Sequence, residues 1–171
     1  MLLEPDRKAE YRPVDKAEKK ALDRLDLKIL EVLQADGRIT IQTLSERVAL
    51  SPSACLARVR HLEASGVITG YQARIALDRI RSTLALYAEV TLSRHSPEAF
   101  SRFESAIAAM PEIVEAAQVS GAFDYLLKVI VPDIQAWREL AARLQAGSGV
   151  EKVTSLILLK PAKAFEGVPL A

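Results

Sequence analysis

The hydrophobic period of this chain changes near residue 84. Before it, Leu22, Leu25, Ile29, Leu30 and Leu33 recur at three- and four-residue steps, which places one apolar stripe on a helix. After it, Leu84, Leu86, Ala88, Val90 and Leu92 alternate with Ala85, Tyr87, Glu89 and Thr91, the period of a strand. A helical first half followed by alternating strands and helices predicts an α+β chain with two units of different architecture. Hydrophobic residues fill 50% of the 171 positions, so a sizeable core can form, and at 5% aromatic residues that core is aliphatic.

Residues 1–21 carry Pro5 and Pro13, nearly balanced charge and no apolar period, and read as an N-terminal extension. The first helix starts at Asp23, with Asp23 and Asp26 where the helix dipole favours negative charge, and stops at Asp36-Gly37, with Gly37 as a left-handed cap. Thr40 opens a second helix with Ile41, Leu44 and Val48 inside, and Ala49-Leu50 form a turn. Ser51-Pro52 then starts a third helix, through Glu63. Ser51 can accept the first free N–H groups, and Pro52 suits the first helical position. On this helix Cys55, Val59 and Leu62 share one side, with Leu56 at its edge. Ser53, Ala54, Ala57 and His61 share the other, flanked by Arg58 and Arg60. An apolar back, a small-residue front and cationic rims suit a helix that enters a DNA major groove. Helix, short turn and helix form a helix-turn-helix unit. Gly66 ends the third helix, and Val67-Ile68 and Tyr71–Ala73 around Thr69-Gly70 predict a small hairpin or wing. The DNA-binding domain is therefore expected over 22–72. A linker follows over 73–83, where Arg74, Arg79 and Arg81 outweigh Asp78.

The second half reads strand, helix, strand, strand, helix, strand. Ser96-Pro97-Glu98 opens a helix with Phe100, Phe103, Ile107 and Met110 in its stripe, and Pro111 stops it. Ile113–Val119 and Tyr125–Val131 are strands joined by Ser120-Gly121-Ala122-Phe123-Asp124. Pro132-Asp133 opens a helix striped by Ile134, Trp137, Leu140, Ala141 and Leu144, and Val153–Leu159 is the last strand. This order is the ferredoxin-like βαββαβ unit, expected over 84–163 with a tail over 164–171. Two helices cover one face of such a sheet. The third and fourth strands are apolar on both faces, so the second face is expected to pack against another copy and to bury well over about 1,000 Å².

No chemistry of turnover is written in these residues. Cys55, His61 and His95 do not form a metal or catalytic cluster, and neither a nucleophile–base pair nor a phosphate loop occurs. The chain is expected not to be an enzyme and to need no metal or cofactor. A single cysteine fits the reducing cytoplasm, and no apolar run of about 18 residues predicts a membrane span. Net charge is +1, which neither supports nor excludes nucleic acid. The loop 120–124 is a turn in which Gly121 supplies an unusual backbone angle, and its acid beside exposed amides could receive the charged ends of an amino acid.

The pieces Leu25-Asp26-Leu27-Lys28-Ile29-Leu30, Asp36-Gly37-Arg38, Leu50-Ser51-Pro52 with Cys55–Glu63, Gly66–Tyr71 and Val119–Leu127 together resemble the leucine-responsive regulatory protein/AsnC family, the feast-or-famine transcription regulators. The resemblance spans about residues 22–163. It implies a winged helix-turn-helix domain and a ferredoxin-like ligand-sensing domain. It also implies homodimers that assemble into tetramers, octamers or larger discs, and an amino acid or related small metabolite bound between subunits. The family's effector positions match Gln118, Gly121, Ala122, Asp124, Ser155 and Leu156. The chain departs at Ala122, where the family's loop carries a second aspartate. Gln118, where a leucine sensor can carry an apolar residue, points to a different or more polar ligand.

The expected function is sequence-specific binding of double-stranded DNA, with transcription regulated through an effector-dependent oligomeric state. Ser53, Ala54, Ala57 and His61 face base edges, Arg58, Arg60 and Arg47 meet phosphate or guanine, and Ser51, at the helix start, is a further DNA-contacting residue. A dimer would present two such helices to half-sites about one helical turn or more apart. The alternative is an architectural protein that wraps or bridges DNA without a small-molecule effector.

Overall fold

The computed structural model describes residues 22–147 and 149–170, so the N-terminal extension lies outside the described residues. The chain forms two units. One is built from residues up to Ala73 together with Phe165 onward; the other spans Arg74–Ala164.

The first unit holds three helices: α1 (Arg24–Ala35), α2 (Ile41–Val48) and α3 (Pro52–Ala64). Each begins on a side-chain cap. Asp23 accepts from the backbone N–H groups of Leu25 and Asp26, and Asp26 returns the bond to the Asp23 N–H. Thr40 accepts from Thr43 N–H, and Ser51 from Ala54 N–H with Pro52 next in line. These caps satisfy N–H groups that the first turn leaves without partners. Ile29, Leu44, Val48, Cys55, Val59 and Leu62 are buried together, ringed by Leu22, Leu30, Leu33, Ile41, Leu50 and Ile68. Burial also pushes the Cys55 thiol pKa up, which suits a packing role.

Local geometry departs from expectation at the end of α1 and in the segment after α3. Gly37 takes no positive φ; α1 is closed by Asp36 in an extended conformation, whose N–H donates to Val32 C=O. Among the described non-glycine residues the left-handed one is Ala49, at φ 57° in the helix-turn-helix turn. Gly66 ends α3 at φ 73°, as expected. After it, no strand ladder forms over 67–73. The segment is instead pinned by Ile68 N–H on Leu62 C=O at 3.0 Å and Tyr71 Oη on Glu63 Oε1 at 3.0 Å.

The second unit opens with a single 3-10 turn at Leu77–Arg79 and continues as β1 (Leu84–Leu92), α4 (Pro97–Ala108), β2 (Ile113–Gln118), β3 (Tyr125–Val131), α5 (Ile134–Gly147) and β4 (Val150–Ile157). All pairings are antiparallel in the order β2-β3-β1-β4. The helices cover one face. Leu86, Ala88, Val90 and Leu92 of β1 and Tyr125, Leu127, Val129 and Val131 of β3 pack there on Phe103, Ile107, Trp137, Leu140 and Leu144. Met110 and Phe100 close the rim. Ile134 leaves the expected stripe and is exposed at the first position of α5.

The other face is mixed rather than wholly apolar. Register places Ala85, Tyr87 and Glu89 of β1 beside Ile130, Lys128 and Leu126 of β3, and beside Leu156 and Thr154 of β4. Glu115 of β2 lies opposite Lys128, their charged ends 3.9 Å apart. Among the described residues no helix is long and apolar enough to cross a membrane.

Candidate nucleic-acid interface and effector loop

The α2–turn–α3 geometry follows from three local facts. Ala49 reverses the chain with left-handed φ and ψ. Its N–H and that of Leu50 return to the Ser45 carbonyl, closing α2. Ser51 and Pro52 then restart the helix at once. Cys55, Val59 and Leu62 are drawn into the core, so the opposite side of α3 faces solvent. Ser53, Ala54, Ala57, Arg60 and His61 are exposed there, and so is Arg47 on α2. The front of the helix carries no large side chain at positions 53, 54 and 57, so a base edge can approach it closely.

Two expected contacts are engaged inside the unit. The Ser51 hydroxyl caps α3, accepting from Ala54 N–H at 3.3 Å. Arg58 does not stand free for phosphate or guanine: its Nη1 lies 2.7 Å from both Asp23 Oδ2 and Asp26 Oδ1. The Asp26 backbone N–H and then the Arg58 guanidinium hold the Asp23 carboxyl below the ordinary carboxylate range. In return, Asp26 and Asp23 raise the Arg58 pKa. Arg58 thus joins the start of α1 to the middle of α3.

The loop after β2 is built around Asp124. Its Oδ2 accepts the Leu92 N–H at 2.7 Å, and its Oδ1 lies 2.9 Å from His95 Nε2. Its own N–H donates to Val90 C=O, and its carbonyl accepts from Val119 N–H, each at 2.9 Å. The acid expected to meet an effector is therefore a strut between the end of β1 and the start of β3. Gly121, at φ 149°, and Ala122 are exposed beyond it. Gln118 closes β2 opposite Tyr125. The Tyr125 hydroxyl donates to Glu104 at 2.8 Å, and burial first, then this carboxylate, raise its pKa.

Ser155 and Leu156 lie elsewhere. They sit on β4, at the opposite edge of the sheet from Gln118 on β2. Three inter-strand steps of about 4.8 Å separate those edges, roughly 14 Å. The Ser155 hydroxyl receives the Trp137 indole N–H at 3.0 Å, while Leu156 faces away from the helices and is exposed. The chain thus brings Gln118, Gly121, Ala122 and Asp124 together and leaves Ser155 and Leu156 apart from them. His95 carries no site reading in the sequence; its only signal is a histidine just ahead of the Ser96 cap. Among the described residues no group of three or more His, Cys, Asp or Glu side chains could hold a metal ion.

Comparison with known proteins places both units. Residues 22–69 match the family model of winged helix-turn-helix DNA-binding domains, and residues 85–168 that of the Lrp/AsnC ligand-binding domain. A leucine-responsive regulatory protein of Klebsiella pneumoniae is 44% identical over 145 residues, covering 84% of this chain and 88% of its own. A transcriptional regulator of Neisseria meningitidis, solved as its L-Met complex, superposes with a TM-score of 0.82 at 35% identity, over 88% of this chain and 97% of that one. The feast or famine regulatory protein of M. tuberculosis, complexed with L-methionine, gives 0.75 at 32% identity over 84% and 96%. With an exposed, capped α3 on the first unit and the matching ligand-binding fold on the second, the chain belongs to the Lrp/AsnC family of transcription regulators.

Proposed function

We propose that the protein binds specific double-stranded DNA as a homo-oligomer, in the cytoplasm, and that an amino acid or related small metabolite changes its assembly and its DNA binding. The exposed small-residue face of α3, with Arg60 and His61 on it and Arg47 nearby, carries the DNA half of this reading. Ser53, Ala54 and Ala57 lie against base edges, and Arg47 and Arg60 neutralise phosphates. Net charge of +1 gives one copy little electrostatic hold. Binding then depends on several copies held in register.

The sheet face bearing Tyr87, Leu126, Ile130 and Leu156 supports copy-to-copy packing. Glu89, Lys128 and Glu115 on that face set its register by charge. The separation of Gln118 from Ser155 supports a shared effector site, which two subunits would complete from opposite sheet edges. Two solved relatives carry L-methionine, so methionine is the first candidate. An effector acts by binding two assembly states with unequal affinity.

The test is a titration of upstream DNA at fixed salt, with and without each of the twenty amino acids, followed by sedimentation of the responsive pair. Unchanged DNA affinity in Arg60→Ala would remove the α3 assignment. Ala122 and the engaged Asp124 carboxylate favour a second reading, a DNA-bridging protein without an effector. Thermal shifts absent for all twenty amino acids would select it.

A further inference from the structure

The DNA-binding unit is not one stretch of chain. After β4 the chain returns, and Phe165 onward belongs to the same unit as α1–α3. There the side-chain amide of Gln34, near the end of α1, grips Val168 on both sides. Its Nε2 donates to Val168 C=O at 3.1 Å, and its Oε1 accepts the Val168 N–H at 2.7 Å. The fork imitates one rung of a β ladder. Gly167 makes the approach possible. Its φ is 127°, and a Cβ there would sit 2.8 Å from Gln34 Oε1 and 3.1 Å from its Cδ. Relief would require the Gln34 amide to shift, which disturbs both bonds, and a Cβ at this φ is strained in any case. Beside the fork, Val168 and Leu170 line a groove of about 280 Å³ with Leu30, Leu33, Ile68 and Tyr71.

We propose that residues 166–170 act as a releasable brace of the DNA-binding unit. Docked, the brace holds the end of α1 against the segment 67–71, whose Ile68 and Tyr71 fasten back onto α3 at Leu62 and Glu63. Both bonds of the fork are solvent-exposed and Val168 is 53% exposed, so release opens no closed core. The segment 158–164 connects the brace to β4, which gives the second unit a covalent handle on α1.

Amide hydrogen exchange of the full chain tests this. In Gln34→Ala and in Gly167→Ala, the Val168 and Ile68 amides should exchange about tenfold faster, as expected for a local opening that has lost its closure, while the Val129 amide in the other unit keeps its rate. Truncation after Ala164 should reproduce the Ile68 effect. Unchanged exchange at Ile68 in both point variants overturns the brace. The experiment contains no DNA, so its failure and that of the DNA-binding assignment are read separately.

Discussion

Arg58 Nη1, on α3, lies 2.7 Å from Asp26 Oδ1 on α1. The same nitrogen reaches Asp23, the cap of α1. The cation that sequence pattern offers to DNA is thus spent on joining two helices. Arg58→Ala should lower the melting temperature of the DNA-binding unit, followed by circular dichroism, while Arg58→Lys retains part of the link without the guanidinium's fork. The same variants should weaken DNA binding only as far as they loosen α3.

Arg47 and Arg60 are the contrasting pair. Both are exposed. Replacing either by alanine should leave the melting temperature within a degree or so and weaken DNA binding about tenfold or less. The salt slope should fall by about one for each phosphate no longer neutralised. Fluorescence anisotropy at several salt concentrations reads both quantities. An unchanged slope would assign these arginines away from the phosphates.

Acid should weaken the α1–α3 link. Asp23 is held below its ordinary value of 3.8, first by the Asp26 N–H and next by Arg58. A carboxyl depressed on folding contributes stability that is fully present above its unfolded pKa and lost as pH falls through the folded one, so the loss falls below about pH 4. Asn at position 23 keeps the cap and removes the charge. The urea midpoints of wild type and Asp23→Asn should differ near pH 6 and draw together as the pH falls below about 4.

Asp124→Ala should cost about 1–3 kcal/mol, because it strands the Leu92 N–H as well as removing the His95 contact. His95→Ala should cost less, since His95 is largely exposed. Urea unfolding of the second unit checks the order. Equal costs would mean that the histidine, not the amide, carries the strut.

Ala49→Gly should stabilise the first unit by about 0.5–1 kcal/mol, because glycine relieves the left-handed strain at φ 57° at a smaller entropic cost. A chemical denaturation curve resolves that difference. A fall in stability would mean that the Ala49 methyl is held by favourable contacts.

The two periods made most of the fold legible. Helical spacing located α1, α2 and α3, and Ser51-Pro52 and Ser96-Pro97 marked the starts of α3 and α4 to the residue. Alternation located β1, and a run apolar on both faces located β3. The last strand begins and ends earlier than its apolar run suggests. It runs Val150–Ile157 because Val150 and Lys152 pair with Leu92 and Thr91, while its last bond to β1 is Leu158 N–H on Ala85 C=O and Leu159 is 92% exposed. The alternating pattern at 67–73 reads as a hairpin, yet the chain there spends its hydrogen bonds on α3 instead. Arg58–Asp26, Asp124–Leu92 and Gln34–Val168 join residues 32, 32 and 134 positions apart. No local spacing encodes such partners, so in the sequence these side chains look available although the fold occupies them.

The return of the chain to its first unit also bears on how the gene product could be rewired. Residues 22 and 170, the outermost of the described residues, both belong to that unit, so the two arms of the chain that run on from it are candidates for joining by a linker. Opening the chain between Ala73 and Arg74 would then yield a circular permutant in which each unit is one uninterrupted segment. Such a permutant would keep every hydrogen bond of both units and cross between them once instead of twice.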